Sequence, residues 1–561
     1  MLRRAWRYGL VASSLVFETL LRALGRRPPY GILQLDLGGE LAEEPVEHRL
    51  LGLVQRHRDD YFNLIVLLRW AREDPRLRAV FICCGDLRVG WAKVQEIRRS
   101  LTALRRAGKT VWVHLAHAGI REYVLASAAD HVILAPAGTL DVAGLSSEVT
   151  FVAGTLRKLG IQAELIQMGK YKSAAETFTR SDMSAPHREM VESLIHDLYE
   201  QVVAAIADGR RMQGEAVHAL LDRGPFTARE AERDHLVDTL LYEDEAEQRL
   251  RAQCDDEPVI ERSAYFWRRA RAIRRAVLRQ DHPSIGLLHV SGTIKTGENI
   301  SGTEAASACG AAAVARDLKA LRERRDIGAV VVRISSPGGS GLASDLIWHE
   351  VMRTRKEKPV VVSFGDVAAS GGYYVGVAGN PVLAEAGTIT GSIGVLAGKA
   401  VLKGLYDQLG VTKQVITRGR HAALYSDYVP LGEEERRRLQ TEAEFFYADF
   451  IDKVASGRHL SAEAVAAAAE GRVWSGRQAK ALGLVDQLTG IEGALDEAKV
   501  LAGLPADGRV AVERYPRPRR LWKFSFNLAP PQSRLHSVVP WLRFLGGERV
   551  LAILPFNFKF F

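Results

Sequence analysis

The chain is poor in the residues that mark a metal or disulfide protein. It has four cysteines in 561 residues, Cys83, Cys84, Cys254 and Cys309, and none stands at a metal-ligand spacing. Adjacent Cys83 and Cys84 fall in an apolar, strand-like run and read as core. Neither a metal nor a cofactor is expected. The chain also lacks an uninterrupted apolar stretch of roughly 20 residues, the length of a confident membrane span. The run from Tyr8 to Leu24 is broken by Glu18 and Arg22. No small-x-small cleavage site follows it, and arginines flank it on both sides (Arg3, Arg4, Arg7; Arg26, Arg27), so charge gives no orientation. No nucleic-acid motif is present. With 47% hydrophobic and 25% charged residues, gross disorder is excluded.

What is present begins with length and charge. Single cores stop growing near about 250–300 residues, so more than one domain is expected. A formal charge of +9 fits anionic partners. The charge gathers with aromatics in three places. One is the N-terminus around Trp6. The second is the run Tyr265-Phe-Trp-Arg-Arg-Ala-Arg-Ala-Ile-Arg-Arg-Ala-Val-Leu-Arg279. The third is the tail, where Arg514, Arg517, Arg519, Arg520 and Lys523 mix with Trp522, Phe524 and Phe526 ahead of the apolar Val550-Leu-Ala-Ile-Leu-Pro-Phe-Asn-Phe-Lys-Phe-Phe561. Basic amphipathic segments with aromatics suit a lipid surface. The N-terminal segment reads as membrane-associated, either a single span or a helix lying in the plane. The middle run reads either as surface-binding or as a helix packed on the second domain.

From Pro29 onward strands and helices alternate. Gly31–Leu37, Arg78–Cys83 and Val111–Leu115 read as strands, and Asp60–Arg72 and Ala92–Arg106 as helices, the rhythm of an α/β fold with parallel strands. The order returns about 250 residues later: Ala79-Val-Phe-Ile answers Ala329-Val-Val-Val, Leu159-Gly160 answers Leu409-Gly410, Gly169 answers Gly419, and Leu236-Val-Asp238 answers Leu484-Val-Asp486. The period is too long for a solenoid and means two copies of one domain. The expected division is 1–28 membrane-associated segment, 29–251 first copy, 252–283 basic connector, 284–505 second copy and 506–561 basic, aromatic tail.

The copies differ where chemistry would lie. The second carries Gly365-Asp-Val-Ala-Ala-Ser370-Gly-Gly-Tyr373 after an apolar strand, a small-residue turn that can lift a hydroxyl clear of the backbone. It also carries Ser336-Pro-Gly338-Gly339-Ser340 before a helix, where backbone N–H groups suit a developing oxyanion. The first copy has Gly85-Asp-Leu-Arg-Val-Gly90 and Ala118-Gly-Ile-Arg121 there, with neither the glycine pair nor the hydroxyl. Conversely, the first copy has Gly169-Lys170-Tyr171-Lys172-Ser173-Ala-Ala-Glu176, whereas Ala422 faces Lys172 in the second. One copy holds a serine without a lysine and the other a lysine without a serine. A serine needs a base, and a buried lysine whose pKa falls from about 10.4 can serve. Lys170 is a local rival, since residues two apart on a strand share a face. Helix capping is the alternative role for Ser370. His289, His349 and His421 lie in the second copy, but none sits in a turn like a catalytic loop, so a Ser–His–Asp triad is disfavoured.

Through Ser336-Pro-Gly-Gly-Ser340, Gly365-Asp-Val-Ala-Ala-Ser-Gly-Gly-Tyr373, Thr390-Gly-Ser-Ile-Gly-Val395 and Tyr171-Lys-Ser-Ala-Ala-Glu176, the chain resembles the long, duplicated form of the bacterial signal peptide peptidase A family (protease IV), over roughly Gly31 to Leu504. The resemblance implies a ClpP/crotonase-like fold of repeated β-β-α units. It implies Ser370 as nucleophile, Lys172 as general base and Ser392 as the residue orienting the lysine, with N–H groups of Gly338, Gly339 and Gly371 near the oxyanion. It implies a membrane-associated serine endopeptidase that degrades cleaved signal peptides and other unfolded, apolar-rich peptides. Such an enzyme would be a homotetramer at the bacterial inner membrane with its catalytic part on the periplasmic side. Thr177 stands where the family usually has proline, away from these atoms. Two other functions are carried beside it: a crotonase-like acyl-thioester enzyme and a catalytically silent membrane scaffold.

Overall fold

The structure, a computed structural model, describes residues 30–44, 47–50, 53–56, 60–277, 282–299, 308–505, 510–517 and 550–553. The N-terminal segment, 1–28, lies outside them. No helix among the described residues is long and apolar enough to cross a membrane.

The first copy is a parallel sheet covered by helices. Its strands are β1 (Ile32–Gly39), β2 (Ala79–Leu87), β3 (Thr110–Leu115) and β4 (His131–Leu134), in the order β1-β2-β3-β4, extended at the two edges by Val259–Glu261 and Thr239–Leu240. Near-continuous apolar runs such as Ala79-Val-Phe-Ile are what strands buried on both faces require. Helix α1 (Tyr61–Glu73) follows β1, with Asp60 as its cap: Asn63 N–H donates to Asp60 Oδ1 at 2.8 Å. Helix α2 (Trp91–Arg106) follows β2 and turns Val94, Ile97, Leu101 and Leu104 inward at helical spacing. A further strand, β5 (Gln162–Met168), leaves this sheet altogether.

The second copy repeats the plan. β6 (Ser284–Ser291), β7 (Ile327–Ser336), β9 (Val360–Ala369) and β10 (Val382–Ala384) pair in parallel in the same order, with Val512–Tyr515 and Gln487–Leu488 at the equivalent edges. Between β7 and β9 lie the short strand β8 (Gly338–Ser340) and helix α3 (Gly341–Arg355); after β9 come α4 (Gly371–Gly376), β11 (Ile389–Gly391), β12 (Val395–Val401) and the long helix α5 (Glu433–Arg458). The glycine pair is therefore part of a strand rather than a bare turn. Gly169 and Gly419 share a left-handed backbone, φ +100° and +98°, as the aligned repeats require. Val259–Glu261 and Val512–Tyr515, which the sequence reading assigned to connector and tail, are strands of the two sheets.

The copies are joined by buried charge. Arg333 on β7 donates from Nε and Nη2 to Glu43 at 3.2 Å each, and from Nη1 to Ser363 Oγ at 2.9 Å and the Phe364 carbonyl at 2.7 Å. Burial alone would push the Glu43 carboxyl up, but Arg333 and Lys93 outweigh it and hold the group at about 2. The connector helix, Arg262–Val277, packs on β1 and on Val259–Glu261 at the edge of the first copy's sheet. Tyr265 is buried against Tyr30, ring centroids 5.8 Å apart, and Phe266 lies 5.3 Å from Trp70, while Trp267 remains 45% exposed.

A candidate active site shared by the two copies

Ser370 stands between β9 and α4 with φ +54° and ψ −115°, a conformation that an L-residue adopts only when its surroundings hold it there. Its N–H donates to the Gly391 carbonyl at 2.8 Å, and its own carbonyl accepts from Tyr374 N–H at 2.8 Å. Helix α4 lies hard against the strands: a Cβ on Gly372 would come within 2.8 Å of the Ser336 carbonyl oxygen. Tyr373 anchors the helix by donating from its hydroxyl to the Leu484 carbonyl at 3.0 Å. Ser370 occupies the cap position of α4, yet its side chain makes no capping hydrogen bond. The hydroxyl is turned elsewhere.

It is turned to Lys172. Strand β5 of the first copy pairs antiparallel with β12 of the second over its full length, from Gln162↔Val401 to Met168↔Val395. The turn after β5 is thereby set down beside the loop Thr390-Gly-Ser-Ile-Gly-Val395. The segment Glu470-Gly471-Arg472 closes the other side. Tyr171 N–H donates to the Glu470 carbonyl at 2.8 Å, Ser392 N–H to the Arg472 carbonyl at 2.7 Å, and Gly471 N–H to the Ile393 carbonyl at 2.7 Å. Gly471, at φ +78°, touches the lysine backbone so closely that a Cβ would sit 2.6 Å from Lys172 Cβ.

Lys172 Nζ donates to Ser370 Oγ at 2.6 Å, to Ser392 Oγ at 3.0 Å and to the Ser392 carbonyl at 3.1 Å. Lys172, Ser370 and Ser392 are all 0% exposed. Burial pushes the Lys172 ammonium well below its ordinary 10.5, with no carboxylate opposing it, because a charge withdrawn from water without a counter-charge is costly. A neutral amine 2.6 Å from a serine hydroxyl can accept that proton.

The other expected residues fall as follows. Gly371 opens α4 next to Ser370. Gly338 (φ +102°) and Gly339 lie on β8, which packs against α4; Gly338 N–H donates to Ser336 Oγ at 3.1 Å. Lys170 is in a turn, not a strand, so the two-residue rule does not apply. Its side chain is 59% exposed and paired with Glu470 at 3.3 Å. His289 is buried in the Glu43–Arg333 cluster and pushed down to about 3 by desolvation, with nearby Arg514 adding to the effect. His421 meets Glu435 at 3.2 Å, and His349 is exposed on α3. The sequence reading missed the Glu470–Arg472 brace. At the offset that pairs Leu236 with Leu484, Gly471 faces Arg223, and a glycine found there in the second copy and not the first was the available signal.

Two stretches of the chain, residues 103–255 and 352–505, match the profile of peptidase family S49. The chloroplastic serine protease SPPA of Arabidopsis thaliana is 31% identical over 519 residues, 92% of this chain and 75% of that protein. Protease 4 of Salmonella typhi is 28% identical over 503 residues, 84% of this chain and 79% of that protein. Protease 4 of Haemophilus influenzae is 29% identical over 509 residues, 86% and 80%.

Proposed function

The chain belongs to peptidase family S49, and from that premise we propose that it is a membrane-associated serine endopeptidase with Ser370 as nucleophile and Lys172 as general base. The observation that carries the proposal is the 2.6 Å contact between Lys172 Nζ and Ser370 Oγ in a site sealed from water. Neutral Lys172 takes the hydroxyl proton as Ser370 Oγ attacks the scissile carbonyl carbon. The oxyanion is met by N–H groups of Gly371, Gly339 and Gly338, the last leaving its Ser336 partner. The Lys172 ammonium, held by Ser392, returns the proton to the leaving amine. The neutral amine so regenerated takes a proton from the water that attacks the acyl-enzyme and returns it to Ser370 Oγ as the ester bond breaks.

Cleaved signal peptides and other unfolded, apolar-rich peptides are the substrates of this reading. A ClpP/crotonase-like fold for each copy is part of this reading, and it would suit strand-and-helix units that place backbone N–H groups beside a carbonyl. An acyl-thioester enzyme has no use for a lysine bonded to a serine, and a silent scaffold none for a strained serine. The basic, aromatic segments favour lipid over nucleic acid. The same reading makes the enzyme a homotetramer at the bacterial inner membrane, its catalytic part periplasmic.

The test is a covalent serine probe with peptide mapping, beside hydrolysis of a signal-peptide substrate. Label should fall on Ser370. Ser370→Ala and Lys172→Ala should each lose at least about a hundredfold in kcat, the lower end of general-base effects, and Lys170→Ala should stay within about twofold. Wild-type rates in both Ser370→Ala and Lys172→Ala would end the proposal.

A further inference from the structure

Ser370 is held in a conformation that costs free energy and lasts only while its surroundings enforce it. The two copies differ in what surrounds that corner. The hydroxyls of Tyr123 and Tyr373 donate to the carbonyls of Leu236 and Leu484 at 2.9 and 3.0 Å, so these tyrosines occupy one position of the repeat. Counting back from them, Ile120 stands where the second copy has Ser370. Ile120 is the first residue of a helix, Ile120–Ala126, and its φ is not positive. The strain at this corner belongs to the second copy alone. Counting forward, Val124 stands where the second copy has Tyr374.

Tyr374 is the residue of α4 whose N–H donates to the Ser370 carbonyl, at 2.8 Å. Its ring is buried, stacked on Phe446 of α5 with centroids 5.5 Å and planes 14° apart, and Phe450 lies at 4.8 Å. Its hydroxyl donates to Asp449 Oδ2 of α5 at 2.5 Å, the short separation of a charge-assisted bond. The same oxygen lies 3.0 Å from Asp345 Oδ1 of α3 and accepts from Lys453 Nζ of α5 at 2.6 Å. Lys453 bridges the two carboxylates, at 2.8 Å to Asp345 and 2.7 Å to Asp449. One hydroxyl thus ties the helix that follows the serine to the two long helices beside it.

The first copy places neutral residues at all four positions. Its helices α2 and Ala185–Arg210 answer α3 and α5 position for position, with Gln95, Gln201 and Ala205 in place of Asp345, Asp449 and Lys453. Gln95 donates to Gln201 at 2.7 Å. Both glutamines also bond to a turn of the second copy, Gln95 accepting from Gly387 N–H at 2.7 Å and Gln201 donating to the Ala386 carbonyl at 3.1 Å. Strain and tie occur together in one copy, and the other has neither.

We propose that Tyr374 is a positioning residue for Ser370. Through Asp345, Asp449 and Lys453 it keeps α4 from settling into the relaxed form seen at Ile120, which would carry the hydroxyl away from Lys172. The inference rests on the peptidase reading, which gives the place of that hydroxyl its consequence.

Tyr374→Phe keeps the ring packing and removes the tie, leaving Lys453 paired with both carboxylates. In the full-length protein, kcat on a signal-peptide substrate should fall at least about tenfold at unchanged KM, since a misplacement of about 1 Å can cost about a hundredfold. A second comparison reads the strain without needing activity. Glycine takes a positive φ freely and alanine does not, so Ser370→Gly and Ser370→Ala differ by the strain at this corner and by the greater chain entropy of glycine. The entropy part is the same with and without Tyr374→Phe and cancels between the two backgrounds. Urea unfolding gives the ratio of the folding equilibrium constants, glycine variant over alanine variant. That ratio should be at least about fivefold larger with Tyr374 present than in Tyr374→Phe, the least strain such a conformation stores. Asp449→Ala removes the acceptor from the α5 side and should give the same two results; it carries the test if Tyr374→Phe does not fold. Unchanged kcat in Tyr374→Phe overturns the inference and leaves the peptidase reading standing. A fall in kcat with the same ratio in both backgrounds also overturns it, because the tyrosine is then not what holds the strain. A wild type that neither hydrolyses the substrate nor takes the serine label removes the peptidase reading, and the inference with it.

Discussion

Replacing Lys172 by methionine should have two effects of different pH dependence. Methionine keeps the apolar stem and removes the three hydrogen bonds that join Nζ to Ser370 Oγ, Ser392 Oγ and the Ser392 carbonyl. At about 1 kcal/mol each that is a loss of about 3 kcal/mol, independent of pH. The second effect comes from the proton. Burial lowers the folded-state pKa of Lys172 from its ordinary 10.5, so between the folded value and 10.5 the unfolded chain binds more protons than the folded one. Stability of the wild type therefore rises with pH in that window, by up to about 1.4 kcal/mol per pH unit, and the methionine variant lacks this slope. The variant should be the less stable protein near pH 10.5. The difference between the two proteins should therefore shrink as pH falls through that window. Urea unfolding of both proteins from pH 6 to 10.5 reads the difference, which levels off below the folded-state value. The wild-type kcat/KM must rise with pH and turn over at that same point, because only the neutral amine accepts the serine proton. A stability difference that is flat over the range would mean that Lys172 titrates as it does in water. A kinetic break well apart from the thermodynamic edge would mean that another group is the base.

Three further outcomes follow from the site and its supports. Arg333→Met leaves Glu43 buried with its main counter-charge gone and should cost about 3–5 kcal/mol in urea unfolding, with Arg333→Met/Glu43→Leu restoring most of it. The contribution of Glu43 should be complete above its ordinary 4.5 and lost as pH falls towards about 2. Gly471→Ala drives a methyl into the Lys172 backbone at φ +78° and should lower kcat by about a hundredfold through misplacement of the amine, read by slower labelling with the serine probe. Ser392→Ala removes one of three acceptors around Nζ and should lower kcat about fivefold at unchanged KM, as loss of about 1 kcal/mol implies.

Much of this was legible because the chain contains its own comparison. The apolar runs at Ala79 and Ala329 identify buried parallel strands, and the repeat spacing fixes which strand answers which, so the two sheets come out in the same order. The complementary loss of Ser370 and Lys172 likewise names a composite site without any knowledge of distance. Contacts across the copies were not legible. Gln162–Met168 has no local feature to say that its partner is Val395–Val401, since antiparallel pairing reads the backbone and not the side chains. Val550–Ile553, which pairs with β8 and β12, reads as membrane-seeking because an apolar strand has the same composition whether lipid or protein covers it. Glu43, Lys93 and Arg333 look like surface charges in sequence, since Glu, Lys and Arg are almost never fully buried unless paired.

The way the copies interlock suggests why neither half would work alone, and Asp366 tests it. In the second copy Ser340 caps its own helix, its Oγ accepting from Ala343 N–H at 3.3 Å. The equivalent helix of the first copy, α2, starts after Gly90, which has no side chain to cap with. The acceptors come from the other copy: Asp366 Oδ2 and Oδ1 accept from Gly90 N–H at 3.1 Å and Lys93 N–H at 3.0 Å. Asp366 lies on β9, the strand that ends at Ser370. It is a positioning residue, tying the first copy to the serine strand. Asp366→Ala should therefore lose about 1 kcal/mol of stability, the usual value of a cap, together with kcat. A serine at position 90 cannot be added to the wild type, where its Cβ would stand 2.4 Å from Asp366 Cγ, but it fits once Asp366 is alanine. Gly90→Ser/Asp366→Ala should regain the stability, because α2 again has a cap, and leave kcat low, because the cap no longer reaches across the copies. If kcat returned with stability, Asp366 would be a cap and nothing more.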